Sequence, residues 1–257
     1  MIDSRPSFMS FRERLLARQR LIGTFLKLPT TQVIEILGPM GYDFVIIDQE
    51  HAPLDRGVTD LMILAARAVN IAPIVRIPEF TEANVLSVLD SGAVGIMVPH
   101  VASVEKAQAI ARSARYRGGS RGFAGLTRAG QWGILGMTDH MRAQDSHVAV
   151  IAMIEDQDAV AKAGDIARVE GIDALFVGRG DLTASFGDDP EARPKVAAIA
   201  RDVAAAAQDA GVPLMMLPSG KADFDFAISL GATALPFSSD HAFIRSSAAA
   251  VLKEHLG

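Results

Sequence analysis

Charged side chains follow several short apolar segments of the sequence, at the point where each segment ends. Asp48 and His51 follow FVII, and Arg76 ends APIVR. Glu155 ends VAVIAMIE, and Asp181 closes ALFVGRGD. A charge at the end of a buried strand is costly to desolvate unless it is paired or binds a ligand. Several such charges at one level therefore indicate a shared polar ligand.

The carboxylates of Glu155 and Asp181 are candidate metal ligands. They close neighbouring predicted strands, so they can converge on one point. The chain has no cysteine, and two carboxylates without paired histidines favour a hard cation such as Mg²⁺ or Mn²⁺. The alternative is that each carboxylate caps the helix that follows it, because Asp is a common N-cap residue.

Arg76 and His51 are candidates for handling an anion and a proton. A buried guanidinium suits a carboxylate or a developing enolate, although Arg76 is equally able to be a salt-bridge partner. The near-neutral pKa typical of histidine suits His51 to proton transfer, with a structural histidine as the alternative. His100 and His241 also follow predicted strands, but the sequence gives neither a convincing carboxylate partner. They are kept as residues lining the mouth of the site.

The elements that position these residues alternate in type along the chain. Short apolar segments are separated by longer amphipathic ones, several of which are closed by glycine. Eight segments are predicted as strands: Leu21–Leu28, Phe44–Glu50, Ala72–Ile77, Gly95–Val101, Val148–Glu155, Ala174–Gly178, Pro213–Leu217 and Ala234–Ser238. Strict alternation of eight strands with helices predicts a closed (β/α)8 barrel, with an open doubly wound sheet as the alternative. Active sites of such barrels lie at the carboxyl ends of the strands.

No linker-like segment divides the chain, so residues 1–257 are predicted to form a single barrel domain. Residues 1–20 are predicted to be an N-terminal extension with an extra helix. The longest irregular stretch is residues 117–146. Loops of this length in a compact domain are usually functional, so it is expected to serve the active site or a subunit interface.

The composition excludes several functional classes. The chain has 257 residues, a formal net charge of -5 and no cysteine. Scattered acidic residues give no electrostatic footprint for nucleic acid or an anionic membrane. The absence of cysteine excludes disulfide frameworks, thiolate metal sites and thiol nucleophiles. With no segment typical of a secretory signal or a membrane span, we expect a cytoplasmic protein whose partners are small molecules.

Six segments in this order and spacing, IDQEHAPLD, PIVRI, IMVPHV, RYRGGSRG, MIED and FVGRGDLTASFG, resemble the HpcH/HpaI aldolase family. The resemblance covers nearly the whole chain, from residue 21 to about residue 252. It implies a TIM barrel and a class II, metal-dependent pyruvate aldolase of the 4-hydroxy-2-oxoheptanedioate aldolase type. Such an enzyme cleaves or forms 4-hydroxy-2-oxo acids from pyruvate or hydroxypyruvate and an aldehyde, through a metal-bound enolate.

The same resemblance implies roles for four catalytic residues. His51 is expected to be the catalytic base, and Asp90 of VLDSG the residue that raises its basicity. Arg76 is expected to stabilise the enolate. Asp48 is expected to hydrogen-bond to a water molecule on the metal.

Metal and substrate contacts are implied for the ends of the fifth and sixth strands. Glu155 and Asp181 are expected to bind the metal, which is Mg²⁺, Mn²⁺ or Co²⁺. Gly178, Gly180 and Asp181 are expected to line the substrate site, where the backbone N–H groups of Gly180 and Asp181 hold the pyruvate carboxylate. Met153 is expected at the same site.

Three positions depart from the family pattern. The family has Gly-Pro-Ala-Asp where this chain has GRGD, which places Arg179 beside the metal. The family often has Gln where this chain has Met153, and the lost hydrogen bond leaves hydroxypyruvate open as the nucleophile. Gln131 replaces a second Arg of related aldolases, which puts a preference for aldehydes with a remote carboxylate in doubt.

Other functions remain open from the sequence. An acyl-CoA ester lyase of the same superfamily would have similar metal carboxylates, although no basic patch for CoA is evident. A barrel enzyme acting on a phosphorylated sugar would use PSGK after the seventh strand and PFSSD after the eighth. A Schiff-base aldolase would need Lys27, and a non-catalytic binding barrel would leave the strand-end charges without purpose.

The family resemblance also implies a homo-oligomer, expected to be a hexamer. Neighbouring subunits of the family exchange the last helix. The final segment, HAFIRSSAAAVLKEHL, is amphipathic and alanine-rich enough for such an exchange, and the same pattern suits a helix packed on its own barrel.

Overall fold

Eight parallel strands close into a barrel in the computed structural model, which describes residues 5–256. Each strand pairs with its neighbours in chain order, and β8 pairs with β1. The strands are β1 Leu21–Leu26, β2 Phe44–Asp48, β3 Ala72–Arg76, β4 Gly95–Val98, β5 Ala149–Ile154, β6 Ala174–Val177, β7 Leu214–Met215 and β8 Ala232–Ser239. The predicted closed (β/α)8 barrel is confirmed, and the open sheet is wrong.

Twelve α-helices occur in the described residues. They are α1 Phe11–Leu16, α2 Gln32–Leu37, α3 Arg56–Ala68, α4 Glu82–Asp90, α5 Val104–Ser113, α6 Met137–His147, α7 Gln157–Val160, α8 Ala163–Ala167, α9 Arg179–Ala184, α10 Ala192–Ala210, α11 Lys221–Ser229 and α12 Asp240–Leu256. Side-chain caps begin three of them: Asp55 accepts from Val58 at α3, and Thr81 and Ser103 do the same at α4 and α5. None of these helices is long and apolar enough to cross a membrane.

The strands are buried on both faces because alternate side chains point to two different cores. Val45 and Ile47 of β2 point outward to the helices, whereas Phe44 and Ile46 point into the barrel. Burying one such side chain contributes about 1.5–3 kcal/mol. This double burial is why the strands read as continuous apolar runs.

The extra N-terminal helix is confirmed and closes one end of the barrel. Phe11 and Leu15 of α1 are buried with the interior side chains of the strands. The ring of Phe11 lies 5.4 Å from that of Phe44 at the start of β2. Access to the interior is therefore confined to the opposite end, where the strands finish. Residues 1–4 of the predicted extension lie outside the described part of the chain.

The predicted long loop is irregular over only part of its length. Residues 137–147 form α6, so the irregular segment ends at residue 136. The prediction was wrong here because α6 buries only His140 and Gln144, and so lacks the apolar periodicity of a core helix. Asp145 ties α6 to the start of the irregular segment by accepting hydrogen bonds from the backbone N–H groups of Tyr116 and Arg117.

Helix α12 follows β8 and is exposed along most of its length. Asp240 in its first turn is its only buried residue. The four large apolar side chains Ile244, Val251, Leu252 and Leu256 are each more than half exposed. The helix thus presents an apolar surface that the other described residues do not cover.

Candidate active site

The strand register brings Asp48 and Arg76 side by side at the carboxyl end of the barrel. The two residues pair across β2 and β3. Arg76 donates from Nε to Asp48 Oδ1 at 2.9 Å and from Nη2 to Oδ2 at 2.7 Å. Both side chains are buried, and removing one partner of such a pair costs about 3–5 kcal/mol. The pair therefore forms the fixed floor of the site.

The charges of this pair determine its protonation state. Burial alone would raise the pKa of Asp48, but the hydrogen bonds and charge of Arg76 outweigh it and hold the pKa below its usual value. Asp48 is therefore ionised and acts only as an acceptor. Arg76 keeps N–H donors beyond the two held by Asp48, because a guanidinium has five.

A group of two carboxylates and one imidazole lies next to this floor. Ligand atoms of Glu50, His100 and Glu155 all lie within 4.8 Å of one another. The backbone N–H of His100 donates to Glu155 Oε1 at 2.7 Å. Glu155 Oε2 is buried and accepts no hydrogen bond from any described residue. A buried, unpartnered carboxylate oxygen of this kind is the feature expected of a cation ligand.

Negative charges are crowded together in this group, and they shift the pKa values of Glu155 and His100. Burial, together with the negative charges of Asp181 and Glu50, raises the pKa of Glu155 to about 7. Burial lowers the pKa of His100, but the hydrogen bond to Asp156 and the nearby carboxylates raise it overall. A divalent cation placed among these oxygens would relieve the repulsion between the carboxylates.

Gly178 gives Glu155 the space it occupies. A Cβ atom on Gly178 would lie 2.4 Å from Glu155 Cβ and 2.6 Å from Oε2. Residue 178 directly follows β6, the strand that pairs with β5, whose end carries Glu155. A side chain at position 178 would therefore displace Glu155. Glycine is therefore required at position 178 by the lack of space beside Glu155, and not by its backbone dihedral angles.

A cavity of about 950 Å³ opens over the strand ends. Its wall includes Phe25, Arg76, Met153, Gly178, Gly180 and Asp181. The guanidinium of Arg76 lies 5.1 Å above the ring of Phe25, which holds it against one wall. The residues expected from the sequence to bind substrate thus all line the same cavity.

Asp181 and Gly180 lie in the first turn of α9, which begins directly after β6. Asp181 is close enough to raise the pKa of Glu155 by its charge, although it lies outside the group of three residues within 4.8 Å. Arg179 turns away from the predicted metal position. It is held by a bidentate contact with Asp223 of α11, at 2.6 and 2.7 Å, and by the carbonyl of Leu217.

His51 and Asp90 lie at different ends of the barrel. His51 is half exposed at the mouth, with Nε2 3.8 Å from Glu50 Oε2. Asp90 ends α4, which returns the chain to the start of β4, and its carboxylate accepts from Arg121 at 3.1 Å. No hydrogen bond or ion pair joins Asp90 to His51 within the described residues. Inside one chain, Asp90 therefore does not raise the basicity of His51 by direct contact.

The family is established by comparison with known proteins. A family model described as HpcH/HpaI aldolase/citrate lyase matches residues 21–246. The chain belongs to this family. A hydroxypyruvate/pyruvate aldolase from Sagittula stellata is 30% identical over 243 residues, covering 93% of this chain and 95% of that protein. Another from Paraburkholderia phytofirmans is 35% identical over 204 residues, covering 76% and 78%.

A solved structure agrees with the sequence relatives. A crystal structure of an HpcH/HpaI aldolase/citrate lyase family protein from Burkholderia cenocepacia superimposes with a TM-score of 0.89 at 31% identity. The alignment covers 95% of this chain and 98% of that one. The chain is accordingly an aldolase, a lyase that makes and breaks carbon–carbon bonds.

The carboxylate partners of His100 in this aldolase were not predicted from the sequence. The sequence offered it no convincing carboxylate partner, but it lies within 4.0 Å of Glu50, Glu155 and Asp156. The order of the strands could have predicted this contact. Neighbouring strands β4 and β5 end at the same level, with Val98 opposite Ala152, so the residues that follow them lie close together. His100 also adopts a left-handed backbone conformation, with φ 53°, which is uncommon outside glycine.

Proposed function

We propose that this aldolase uses a divalent cation to cleave and form 4-hydroxy-2-oxo acids, with pyruvate or hydroxypyruvate as the nucleophilic half. The observation that carries the proposal is the unpartnered, buried Oε2 of Glu155 beside Glu50 and His100. The relatives named as hydroxypyruvate/pyruvate aldolases support the substrate class.

The donor set fits a hard divalent cation. Glu155 is the central ligand, and Asp181 is the second carboxylate expected from the sequence. Glu50 and His100 offer further donor atoms within reach of Glu155. Oxygen-rich sets of this kind suit Mg²⁺ or Mn²⁺, and an imidazole is compatible with Mn²⁺ or Co²⁺.

The bound cation supplies Lewis acidity, which makes loss of a C3 proton from the 2-oxo acid feasible near neutral pH. The remaining steps fall to the side chains. Arg76, oriented by Asp48, donates to the oxygen that gains negative charge on enolisation. His51, exposed at the mouth, takes the proton from C3 and returns it. The N–H groups of Gly180 and Asp181 at the start of α9 hold the substrate carboxylate.

The apolar wall of the cavity affects the choice of nucleophile. Met153 is almost fully buried and lines the cavity. Its thioether is at most a weak hydrogen-bond acceptor. We therefore include hydroxypyruvate beside pyruvate, and the two are separated by measuring both in one assay.

The loop after β7 favours the aldolase reaction over chemistry on a phosphorylated sugar. Asp223 of α11 accepts hydrogen bonds from the backbone N–H and the hydroxyl of Ser219, at 2.7 and 3.0 Å. Lys221 contacts Asp225 on the same helix. The N–H and hydroxyl of Ser219 and the ammonium of Lys221 are thus already bonded to carboxylates of α11.

The test is exchange of the pyruvate methyl protons in D₂O, followed by NMR. Chelator-treated protein is measured before and after addition of Mg²⁺ or Mn²⁺. We expect exchange only with the cation, and a loss of about 100-fold or more in Glu155→Gln. Glu35→Gln, an exposed carboxylate on α2, is the matched control. Failure of exchange with both pyruvate and hydroxypyruvate would contradict the proposal.

Assembly and location complete the proposal. We propose a homo-oligomer, a hexamer by family resemblance, in which α12 packs on a neighbouring subunit. Its exposed apolar side chains support this arrangement. A cytoplasmic location agrees with a chain that contains no cysteine and needs no oxidising compartment.

A further inference from the structure

Lys27 is a cationic side chain of the cavity that the proposed mechanism does not use. It follows β1 directly and lines the cavity wall. Its Nζ lies 3.2 Å from Asp48 Oδ2, and its side chain is 25% exposed. From the sequence, Lys27 was a candidate only for a Schiff-base nucleophile. Its position suggests a different task.

The backbone of Lys27 is fixed by a buried carboxylate. Asp240, at the start of α12, accepts from the N–H of Lys27 at 3.0 and 2.9 Å and from the N–H of Leu28 at 2.8 Å. Asp240 is 2% exposed. Both ends of Lys27 are therefore held, the backbone by Asp240 and the ammonium by Asp48. The side chain is pre-organised at the mouth of the barrel.

The ammonium has donors to spare. A lysine ammonium has three N–H donors. Among the described residues, Asp48 is the only partner of the Lys27 side chain. The other two donors are free for a ligand in the cavity.

Lys27 and Arg76 share one oxygen atom of Asp48. Arg76 Nη2 lies 2.7 Å from Asp48 Oδ2, and Lys27 Nζ lies 3.2 Å from the same atom. The two cations are therefore neighbours along the cavity floor. They are suited to two substrate oxygens that are also close together, as the oxygens on C2 and C4 of a 4-hydroxy-2-oxo acid are.

We propose that Lys27 is a catalytic residue whose ammonium binds the C4 oxygen of the 4-hydroxy-2-oxo acid, which is the carbonyl oxygen of the aldehyde in the reverse direction. The inference rests on the proposed function, since it assigns Lys27 to the carbon–carbon step of the same site. Arg76 holds the C2 oxygen, and Lys27 holds the C4 oxygen.

During cleavage, electrons and a proton move in a way that leaves negative charge on the C4 oxygen beside Lys27. The C3–C4 bond breaks, its electron pair stays on C3 as the enolate, and the C4–O bond becomes a carbonyl. The C4 hydroxyl proton goes to His51, which returns it to C3. Negative charge builds on the C4 oxygen as its proton leaves, and the Lys27 ammonium stabilises that charge. Enolisation of pyruvate alone involves no C4 oxygen and does not need Lys27.

The experiment compares two reactions of the metal-loaded enzyme. The first is proton exchange of pyruvate in D₂O, and the second is cleavage of 4-hydroxy-2-oxopentanoate to pyruvate and acetaldehyde. In Lys27→Met we expect kcat for cleavage to fall about 100- to 1,000-fold, the usual loss on removing one such donor. Exchange should stay within about 3-fold of wild type. Lys27→Arg should recover part of the cleavage rate, and Lys195→Met, on the exposed side of α10, is the matched control.

Other outcomes overturn the inference in distinguishable ways. If cleavage survives in Lys27→Met, the ammonium does not act on the C4 oxygen. If exchange and cleavage are lost together, Lys27 only supports the Asp48–Arg76 pair. A pyruvate adduct trapped on Lys27 by borohydride would make it a Schiff-base nucleophile. If the wild-type enzyme with metal exchanges the protons of neither pyruvate nor hydroxypyruvate, the proposed function itself fails.

Discussion

At the scale of single residues, the site depends on a glycine as much as on its charges. Gly178→Ala should push Glu155 out of position, because the added Cβ meets both its Cβ and its Oε2. We expect a loss of about 10- to 100-fold in Mn²⁺ affinity, the usual effect of disturbing the support of a ligand. Titration calorimetry measures it.

Gly180→Ala is the matched control for this change. Its added Cβ meets no heavy atom within 4 Å, and the backbone N–H is kept. Alanine in a helix is also about 0.5–1 kcal/mol more favourable than glycine. Equal Mn²⁺ affinity in the two variants would show that Glu155 adapts or does not bind the cation.

Glu155 also gives the metal-free protein an unusual pH dependence. Its folded-state pKa is raised from 4.5 to about 7. A raised pKa stabilises the fold fully below the unfolded value, and this contribution is lost as pH rises through the folded value. Between about pH 5 and 8, the melting temperature of metal-free protein should therefore fall relative to that of Glu155→Gln. Parallel curves for the two proteins would contradict the shift, and added Mn²⁺ should remove the difference by stabilising the ionised form.

The residues that the sequence located are those at strand ends. Arg76, Asp48 and Glu155 could be found because a charge after an apolar strand is conspicuous and barrel topology fixes its level. The partnership of Glu50 with His100 was missed, since it depends on side-chain directions that spacing does not encode. Asp90 lies at the end of the barrel opposite the site because α4, like the helix of any βα unit, runs back towards the start of the next strand.

At the scale of elements, strands were easier to predict than the segments between them. All eight strands were found because each is buried on both faces and is therefore apolar throughout. Helix α6 was missed because most of its surface is polar and exposed. Its attachment depends on buried polar contacts, such as His140 Nε2 with the hydroxyl of Tyr116 at 3.3 Å, which leave no periodic trace in the sequence.

The contact between Arg179 and Asp223 is the clearest link between two elements at the mouth of the barrel. It joins the start of α9 to α11 by a bidentate ion pair. Hydrogen bonds from Arg179 lower the pKa of Asp223 to about 2, despite partial burial. A depressed pKa stabilises the fold above the unfolded value of 3.8, and this is lost as pH falls through about 2.

We therefore expect Asp223→Asn to lower stability at pH 7 by about 1 kcal/mol, an amount reduced by partial solvent exposure. The difference from wild type should shrink as pH falls from about 4 towards 2. Urea unfolding at several pH values measures it. Asp225→Asn, at a more exposed position on α11, should have little effect at any pH, and an equal loss in both variants would argue against a specific role for the ion pair.

At the scale of the whole molecule, large apolar side chains remain exposed in several parts of the described residues. They lie on α12, at Ile36 and Met40, and at Leu61 and Leu64 of α3. Exposed large apolar side chains in clusters are typical of protein interfaces. The irregular segment before α6 adds Leu126, Trp132 and Ile134, each more than 60% exposed. These surfaces are where we expect subunits to meet.

Replacing Leu252 by Glu tests whether α12 holds the assembly together. Leu252 is 59% exposed in the single chain. If it is buried against a neighbouring subunit, an unpaired carboxylate there should release smaller species in light scattering after size exclusion. Ser247→Glu places the same charge on a polar position of α12 and should leave the assembly intact.

Because Asp240 in the first turn of α12 anchors Lys27, loosening the helix should also slow carbon–carbon cleavage while leaving pyruvate exchange in place. An unchanged assembly in Leu252→Glu would mean that α12 is not the interface, and that any oligomer forms through the other exposed surfaces.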